Sequence, residues 1–255
     1  MSIPIFLKYD NFINSLPVKT NGDARIENNY LLLTPAEPSK RGSAYYGRRI
    51  LLPSNGSFST YFVFQINVPE DSSGADGFTF TVQPNSNEAL GANGAYLGYG
   101  ESNQSPGIDN SLAIEFDTYF NPSLGDINDN HAGVDANGSV FSINQNPLFN
   151  FNISNGNEYH VWIDYNGNDS LGGNLQVRVG TTNNRSNAVL VLNQPNFNLP
   201  FILGRNDVFL GFTGSTGAAF EDHRILLWYL DNKYNPIDTS VNEYVQASGR
   251  GLIVE

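Results

Sequence analysis

The stretch Ala113–Asp135, AIEFDTYFNPSLGDINDNHAGVD, decides the reading of this chain. Glu115, Asp117, Tyr119 and Asn121 stand at every second position in it. Successive side chains of a β-strand point to opposite faces, so residues i, i+2 and i+4 share one face. Glu115, Asp117 and Tyr119 therefore point the same way and Asn121 continues the row, while Ile114 and Phe116 turn toward a core. Pro122 ends the strand, and Gly125 lets the chain turn back. That return carries Asp126 and His131 over the Glu115–Asp117 face. Two carboxylates so close repel each other unless a cation sits between them. Carboxylate, amide and backbone carbonyl oxygens suit calcium, whereas carboxylates with one imidazole suit manganese or another divalent transition ion. A cluster of Glu115, Asp117, Asn121, Asp126 and His131 holds two ions if carboxylates bridge them. A solvated acidic loop accounts for DINDN taken alone, but not for the strand-borne pair followed by Asn121 and His131.

Outward from this stretch the same alternation recurs. FSTYFVFQI sets Phe58, Thr60, Phe62, Phe64 and Ile66 on one face; DGFTFTV repeats the pattern with Phe78, Phe80 and Val82, and NLQVRV with Leu175, Val177 and Val179. YLLLT, EYHVWIDY, AVLVL, VFLGFTG and HRILLWYL read as further strands. Period-two patterning, aromatic and β-branched enrichment, and Gly, Pro, Asn and Ser punctuation predict antiparallel sheets. No amphipathic helix, internal repeat or linker is legible. The expectation is an all-β sandwich of two packed sheets, one domain over residues 1–255. Polar loops at 83–93 and 100–110 are where a rigid sandwich would carry function.

Composition narrows the function classes. The 255 residues contain no cysteine, so there is no disulfide framework. Aromatics are 13% of residues, enough for a sizeable core, and the net charge is −12. That balance lacks the basic footprint of a nucleic-acid binder and is repelled by an anionic membrane surface. No run of about 18 apolar residues is present to span a membrane. The start, MSIPIFLKYDNFIN, lacks the basic and apolar regions of a secretory signal; Met1 is compatible with a domain cut from a longer secreted chain.

At Glu115, Asp117, Tyr119, Asn121, Asp126 and His131 the chain resembles the legume-type (L-type) lectin family, whose metal motif is Glu-x-Asp-x-aromatic-x-Asn, then Asp five residues on and His five further. The resemblance extends through GSFSTYFVFQINVP, ADGFTFTV, GAYLGY, VWIDYNG with NLQVRV, and VFLGFTGSTGAAFEDHRILLWYL. It implies a flattened jelly-roll sandwich and a non-enzymatic, calcium- and manganese-dependent carbohydrate-binding protein. Its partners would be glycans or glycoproteins, its location extracellular or at a cell surface, and copies could pair as homo-oligomers. The transition metal would take Glu115, Asp117, Asp126 and His131. Calcium would take Asp117, the Tyr119 carbonyl, Asn121 and Asp126. Sugar would meet Asp76, a backbone N–H near Gly94–Ala95, the Asn121 amide, the Tyr119 ring, and the N–H groups of Ala218 and Ala219. The resemblance also implies a cis Ala75–Asp76 peptide.

Two positions depart from the family. Ala95 stands where a Gly usually precedes the Tyr of the YLG loop. Gly138 stands seven residues after His131, where a Ser holding a metal-bound water is expected, with Ser139 one further on. Five residues, Ala218–Asp222, separate Gly217 from His223; a loop this short resembles the mannose- and glucose-binding members. His160 and His223 have no evident partner in the sequence. The rival classes are a laminarinase-like sandwich hydrolase and a structural adhesion module. The hydrolase motif needs a second Glu where this chain has Phe120, and a retaining enzyme needs two carboxyl groups about 5–5.5 Å apart. The adhesion module would have no use for an intact Asp76 and Asn121.

Overall fold

A computed structural model describes residues 6–13, 17–170 and 172–239; the limits 1 and 255 of the expected domain lie outside them. In chain order the strands are β1 (Phe6–Tyr9), β2 (Val18–Gly22), β3 (Arg25–Glu27), β4 (Tyr30–Thr34), β5 (Arg41–Tyr46), β6 (Ile50–Leu51), β7 (Phe58–Asn67) and β8 (Gly77–Gln83). They continue as β9 (Leu112–Asp117), β10 (His131–Ala136), β11 (Ser139–Pro147), β12 (Glu158–Asn166), β13 (Asn174–Gly180), β14 (Val189–Pro195), β15 (Asp207–Ser215) and β16 (Asp222–Asp231). One short helix, α1 (Leu199–Leu203), starts at Asn198, whose side chain accepts the Phe201 N–H, and stops at Gly204 in the left-handed region.

The strands form two antiparallel sheets, so the all-β sandwich expected from the alternation is what the chain adopts. The rear sheet runs β14-β13-β12-β7-β16-β4-β3 with β1 beside β16; the front sheet runs β11-β10-β9-β8-β15-β5-β2 with β6 beside β15. Phe58, Phe62, Phe64 and Ile66 of β7 meet Phe78, Phe80, Phe116 and Phe212 of the front sheet in one buried core. The Phe62 and Phe212 rings meet edge-on at 5.1 Å. Burying a side chain of this size stabilises by about 1.5–3 kcal/mol. Thr60, the polar member of the β7 row, is buried too; it donates to the Tyr229 carbonyl at 2.8 Å and accepts the Trp228 Nε1 proton at 3.0 Å. Asn146 of β11 donates to the Val191 carbonyl of β14 at 2.8 Å and ties the two sheet edges together.

Several strands escape a sequence reading. β2, β3, β5, β6, β10 and β11 are short or polar, and their backbones are recruited by neighbours rather than by their own pattern. Trp228 joins the main core, whereas Trp162 lies on the outer face of the rear sheet with Tyr61, Val63 and Tyr229. On the outer face of the front sheet a smaller cluster of Tyr99, Ile108, Ala113 and Val140 packs under the 84–110 loop. That cluster fixes the loop against the strands that carry the acidic row. Among the described residues no helix is long and apolar enough to cross a membrane.

Candidate functional site

The acidic row sits on β9 and is framed by both neighbours. His131 of β10 lies opposite Asp117 and Gly133 opposite Glu115; from the other side Gly77 of β8 lies opposite Asp117. Glu115 and Asp117 are each 3% exposed and His131 0% exposed. One ligand atom from each of the three falls within 4.8 Å of the others. Gly133 is required by this packing: a Cβ there would lie 2.1 Å from Glu115 Oε1 and 2.2 Å from Ser142 Oγ. The strand ends at Asp117, so Tyr119 leaves the row; it is 41% exposed, with its N–H donated to Asp117 Oδ1 at 2.8 Å. Asn121 precedes a one-turn 3₁₀ helix, Pro122–Leu124, closed by Gly125. Asp126 returns over it and accepts the Asn121 N–H at 2.5 Å. Asp126 lies outside the tight trio, on its loop, but close enough to act on Asp117 and His131 electrostatically.

Charge crowding marks every group here. Burial first, then Glu115 and Asp126, push Asp117 well above the usual carboxylate range. Burial also raises Asp126. Burial opposes a charge on His131, but Glu115, Asp126 and the Asn128 carbonyl outweigh it, and the imidazole is shifted upward. His131 Nδ1 sits 2.9 Å from the Asn128 carbonyl, which sets Nδ1 as the donor and leaves Nε2 facing the carboxylates. Nε2 is 3.3 Å from Glu115 Oε1 but is buried and not aligned for a hydrogen bond. Asn121 Oδ1 is likewise buried and unpartnered. Buried polar atoms are almost always satisfied. An inward nitrogen lone pair, an amide oxygen and crowded carboxylates make a donor set that fits divalent cations.

The residue behind Glu115 is one that the sequence did not point to. Gly138 belongs to the β10–β11 turn, with φ +72°, and its N–H goes to the Tyr99 hydroxyl at 3.1 Å. The serine that reaches the cluster is Ser142, whose Oγ lies 2.6 Å from Glu115 Oε1 and 2.8 Å from Asp135 Oδ1. One hydroxyl proton serves only one carboxylate at a time. Burial and then Glu115 push Asp135 well above the usual carboxylate range, a direction that favours a proton on Asp135 for the other contact. A register shift in the β10–β11 hairpin between Val134 and Ala136 places Ser142 there. Counting residues from His131 misses it.

Asp76 arrives from a distant part of the chain. The Ala75–Asp76 peptide is cis. The Asp76 N–H is donated to the Ser215 carbonyl at 3.1 Å, and its carbonyl accepts the Thr118 N–H at 3.0 Å. Its side chain is 4% exposed, and Oδ2 has no partner. Burial, then Glu221, then Asp126 push it up to about 7. Two backbones crowd this oxygen: a Cβ on Gly217 would lie 3.1 Å from it, and one on Gly94 4.0 Å. The Gly94 N–H is already donated to the Thr216 carbonyl at 3.2 Å, and the Gly94 carbonyl accepts Ser215 Oγ at 2.7 Å. Gly94 therefore closes the wall of the corner. Ala95, next in the Gly94–Tyr96 3₁₀ turn, carries a first-turn N–H with no acceptor inside the helix. Ala218 is exposed and Ala219 half-buried at the crest of the loop that follows Gly217.

Both remaining histidines have partners that the sequence did not reveal. His160 Nδ1 lies 2.7 Å from the Tyr61 hydroxyl. His223 is fully buried between Glu221 and Thr34, with Nε2 3.1 Å from Glu221 Oε1 and Nδ1 2.5 Å from Thr34 Oγ1. A cavity of about 550 Å³ opens on the rear sheet beside Tyr61, His160 and Tyr229. It gathers no comparable set of unpartnered carboxylates and is a separate feature.

This geometry has known relatives. The legume lectin domain model matches residues 6–244. An L-type lectin-domain containing receptor kinase (I.7) of Arabidopsis thaliana is 33% identical over 234 residues, which are 86% of this chain and 34% of that protein. The chain thus spans about a third of the length of the receptor kinases it matches. The lectin-like protein At1g53070 of Arabidopsis thaliana is 29% identical over 252 residues, 88% of this chain and 90% of that one. A solved lectin from Bauhinia forficata, in complex with GalNAc, aligns with TM-score 0.75 and 26% identity over 90% of this chain and 98% of that one. With the sandwich and the acidic corner already described, the match over nearly the whole chain settles the family: the chain belongs to the legume lectins, carbohydrate-binding proteins by family.

Proposed function

We propose that this chain binds a pyranose, without catalysis, in the corner built by Asp76, Gly94, Ala95, Tyr119, Asn121, Ala218 and Ala219, and that it needs calcium and manganese (or another divalent transition ion) to do so. The observation that carries this reading is the buried Glu115–Asp117–His131 cluster, whose ligand atoms lie within 4.8 Å of one another, together with the buried oxygens Asp76 Oδ2 and Asn121 Oδ1, which have no hydrogen-bond partner. Glu115, Asp117, Asp126 and His131 would hold the transition metal; Asp117, the Tyr119 carbonyl, Asn121 and Asp126 would hold calcium. When bound, the cations would supply positive charge that offsets the repulsion among these carboxylates.

The chain's own groups do the recognition. As a carboxylate Asp76 accepts two sugar hydroxyls, and its charge strengthens both bonds. Asn121 has two ends: its oxygen would serve calcium, leaving its N–H₂ for a sugar hydroxyl. Tyr119, 41% exposed, offers a flat face to the C–H side of the ring. Ala95, Ala218 and Ala219 supply backbone donors. The five-residue loop after Gly217 favours mannose or glucose, although one neighbour was solved with GalNAc. We place the chain outside the cell or at its surface, as a single domain over 1–255 that meets glycans or glycoproteins. The test is calorimetric titration with methyl α-mannoside, methyl α-glucoside and methyl α-galactoside, each with and without chelator. Binding of mannoside or glucoside that chelation abolishes supports the reading. Undiminished binding after verified metal removal overturns its metal dependence, and a clear preference for galactoside overturns the sugar assignment.

A further inference from the structure

Glu221 is fully buried, and the site described so far gives it no role. It stands where three segments of the proposed sugar corner meet. Its Oε1 accepts the hydroxyl proton of Thr118, the residue between Asp117 and Tyr119. The same oxygen faces His223 Nε2 at 3.1 Å, and His223 is held from its other nitrogen by Thr34 at 2.5 Å. Oε2 is buried without a partner and presses on the segment leading to Asp76, where a Cβ on Gly74 would lie 2.9 Å from it. Glu221 also ends the 217–220 loop, which Ser72 draws in by accepting the Phe220 N–H at 2.8 Å and the Gly74 N–H at 3.2 Å. Thr118 closes the circuit, its N–H donated to the Asp76 carbonyl at 3.0 Å.

We propose that Glu221 is a positioning residue for sugar binding: clamped by His223 and Thr34, it holds Thr118 so that the Asp76 segment and the metal-binding strand keep their relative places. The assignment rests on the reading of Asp76 as a sugar ligand, but its structural part stands without it. A buried carboxylate is costly to keep, and a hydrophobic residue would fill the same space without that cost. What the carboxylate adds is an acceptor aimed at Thr118, fixed in direction by an imidazole that is itself fixed. Sites of this kind lose affinity when their supporting groups are left loose.

The test uses the full chain at saturating calcium and manganese, with Glu221→Ala, Glu221→Gln, Thr118→Val and the Glu221→Ala/Thr118→Val double variant. Affinity for methyl α-mannoside and methyl α-galactoside is read by calorimetry, and amide hydrogen exchange is read residue by residue. Glu221→Ala and Thr118→Val are each expected to lower sugar affinity at least tenfold, and the double variant no further than the weaker single. Glu221→Gln keeps a carbonyl oxygen for Thr118 and is expected within threefold of the parent. Exchange at the Thr118 and Asp76 amides should rise at least tenfold in Glu221→Ala and stay at the parent rate in Glu221→Gln, with Ile163 in the rear sheet unchanged. A uniform rise at all amides, or additive losses in the double variant, would reduce Glu221 to general stability and overturn the proposal. So would parent-like exchange at Thr118 in Glu221→Ala. If the parent binds neither sugar, the lectin assignment of the corner fails, while the exchange arm still decides for or against Glu221.

Discussion

Removing the charge of Asp76 should make the metal-free protein more stable while it destroys the proposed sugar site. Asp76 is 4% exposed, and burial, Glu221 and Asp126 raise it from 3.8 to about 7. The sign follows from proton counting. Between those two values the folded state holds a proton that the unfolded chain has lost, so stability falls as pH rises through the window. At roughly 1.4 kcal/mol per tenfold change in proton affinity, the ionised form costs the fold on the order of 4 kcal/mol above pH 7. Asp76→Asn keeps the shape and removes the charge. In chelator at pH 8 the variant should therefore melt above the parent, by about 2–4 °C for each kcal/mol recovered. At pH 4 both forms are neutral when folded, and the gap should close. Thermal melts from pH 4 to 8 in chelator measure this directly. An Asp76→Asn variant less stable than the parent at pH 8, or a gap that does not change with pH, refutes the reasoning. The same variant should lose monosaccharide binding, since each bond to a charged acceptor is worth about 1.5–3 kcal/mol and 1.4 kcal/mol is tenfold in affinity.

Other outcomes follow from the same corner. Loading calcium and manganese near neutral pH should release protons, because Asp117 and Asp126 are shifted upward without metal; calorimetry in two buffers of different ionisation enthalpy counts them, and apparent metal affinity should weaken as pH falls. Asn121→Ala should weaken both calcium and sugar, whereas Glu115→Ala should release the transition metal first; metal analysis by mass spectrometry beside sugar titration separates the two. Ser142→Ala removes the hydroxyl shared by Glu115 and Asp135 and should cost about 1–3 kcal/mol in chemical denaturation, with weaker retention of the transition metal. Chelation at mildly acidic pH should lower the melting temperature, since ions bound only by the folded state stabilise it.

The rows of alternating residues were readable because a strand's period is local. Phe58, Phe62, Phe64 and Ile66, then Phe78, Phe80 and Val82, name their own faces, and each sits in the core as its pattern requires. Glu115 and Asp117 were legible for the same reason, and so was the return of His131. Strands without a pattern of their own, such as Val18–Gly22 and Ser139–Pro147, were not, because partners across the sheet recruit them. The serine that approaches Glu115 was not legible for a related cause: a register shift between Val134 and Ala136 changes which side chain reaches a given place without changing the residue count.

From the sequence alone came the sandwich, the core rows and the Glu115–Asp117–His131 grouping, since each depends on alternation and on a turn a few residues away. Tertiary structure alone brought Asp76 Oδ2 against Gly94 and Gly217, joined Ser142 to Glu115 and Asp135, and linked Thr34, His223, Glu221 and Thr118 into one buried chain. Those contacts join residues up to 189 positions apart. Which strands pair, and in what register, is settled by burying all the apolar rows at once; no short stretch carries that information.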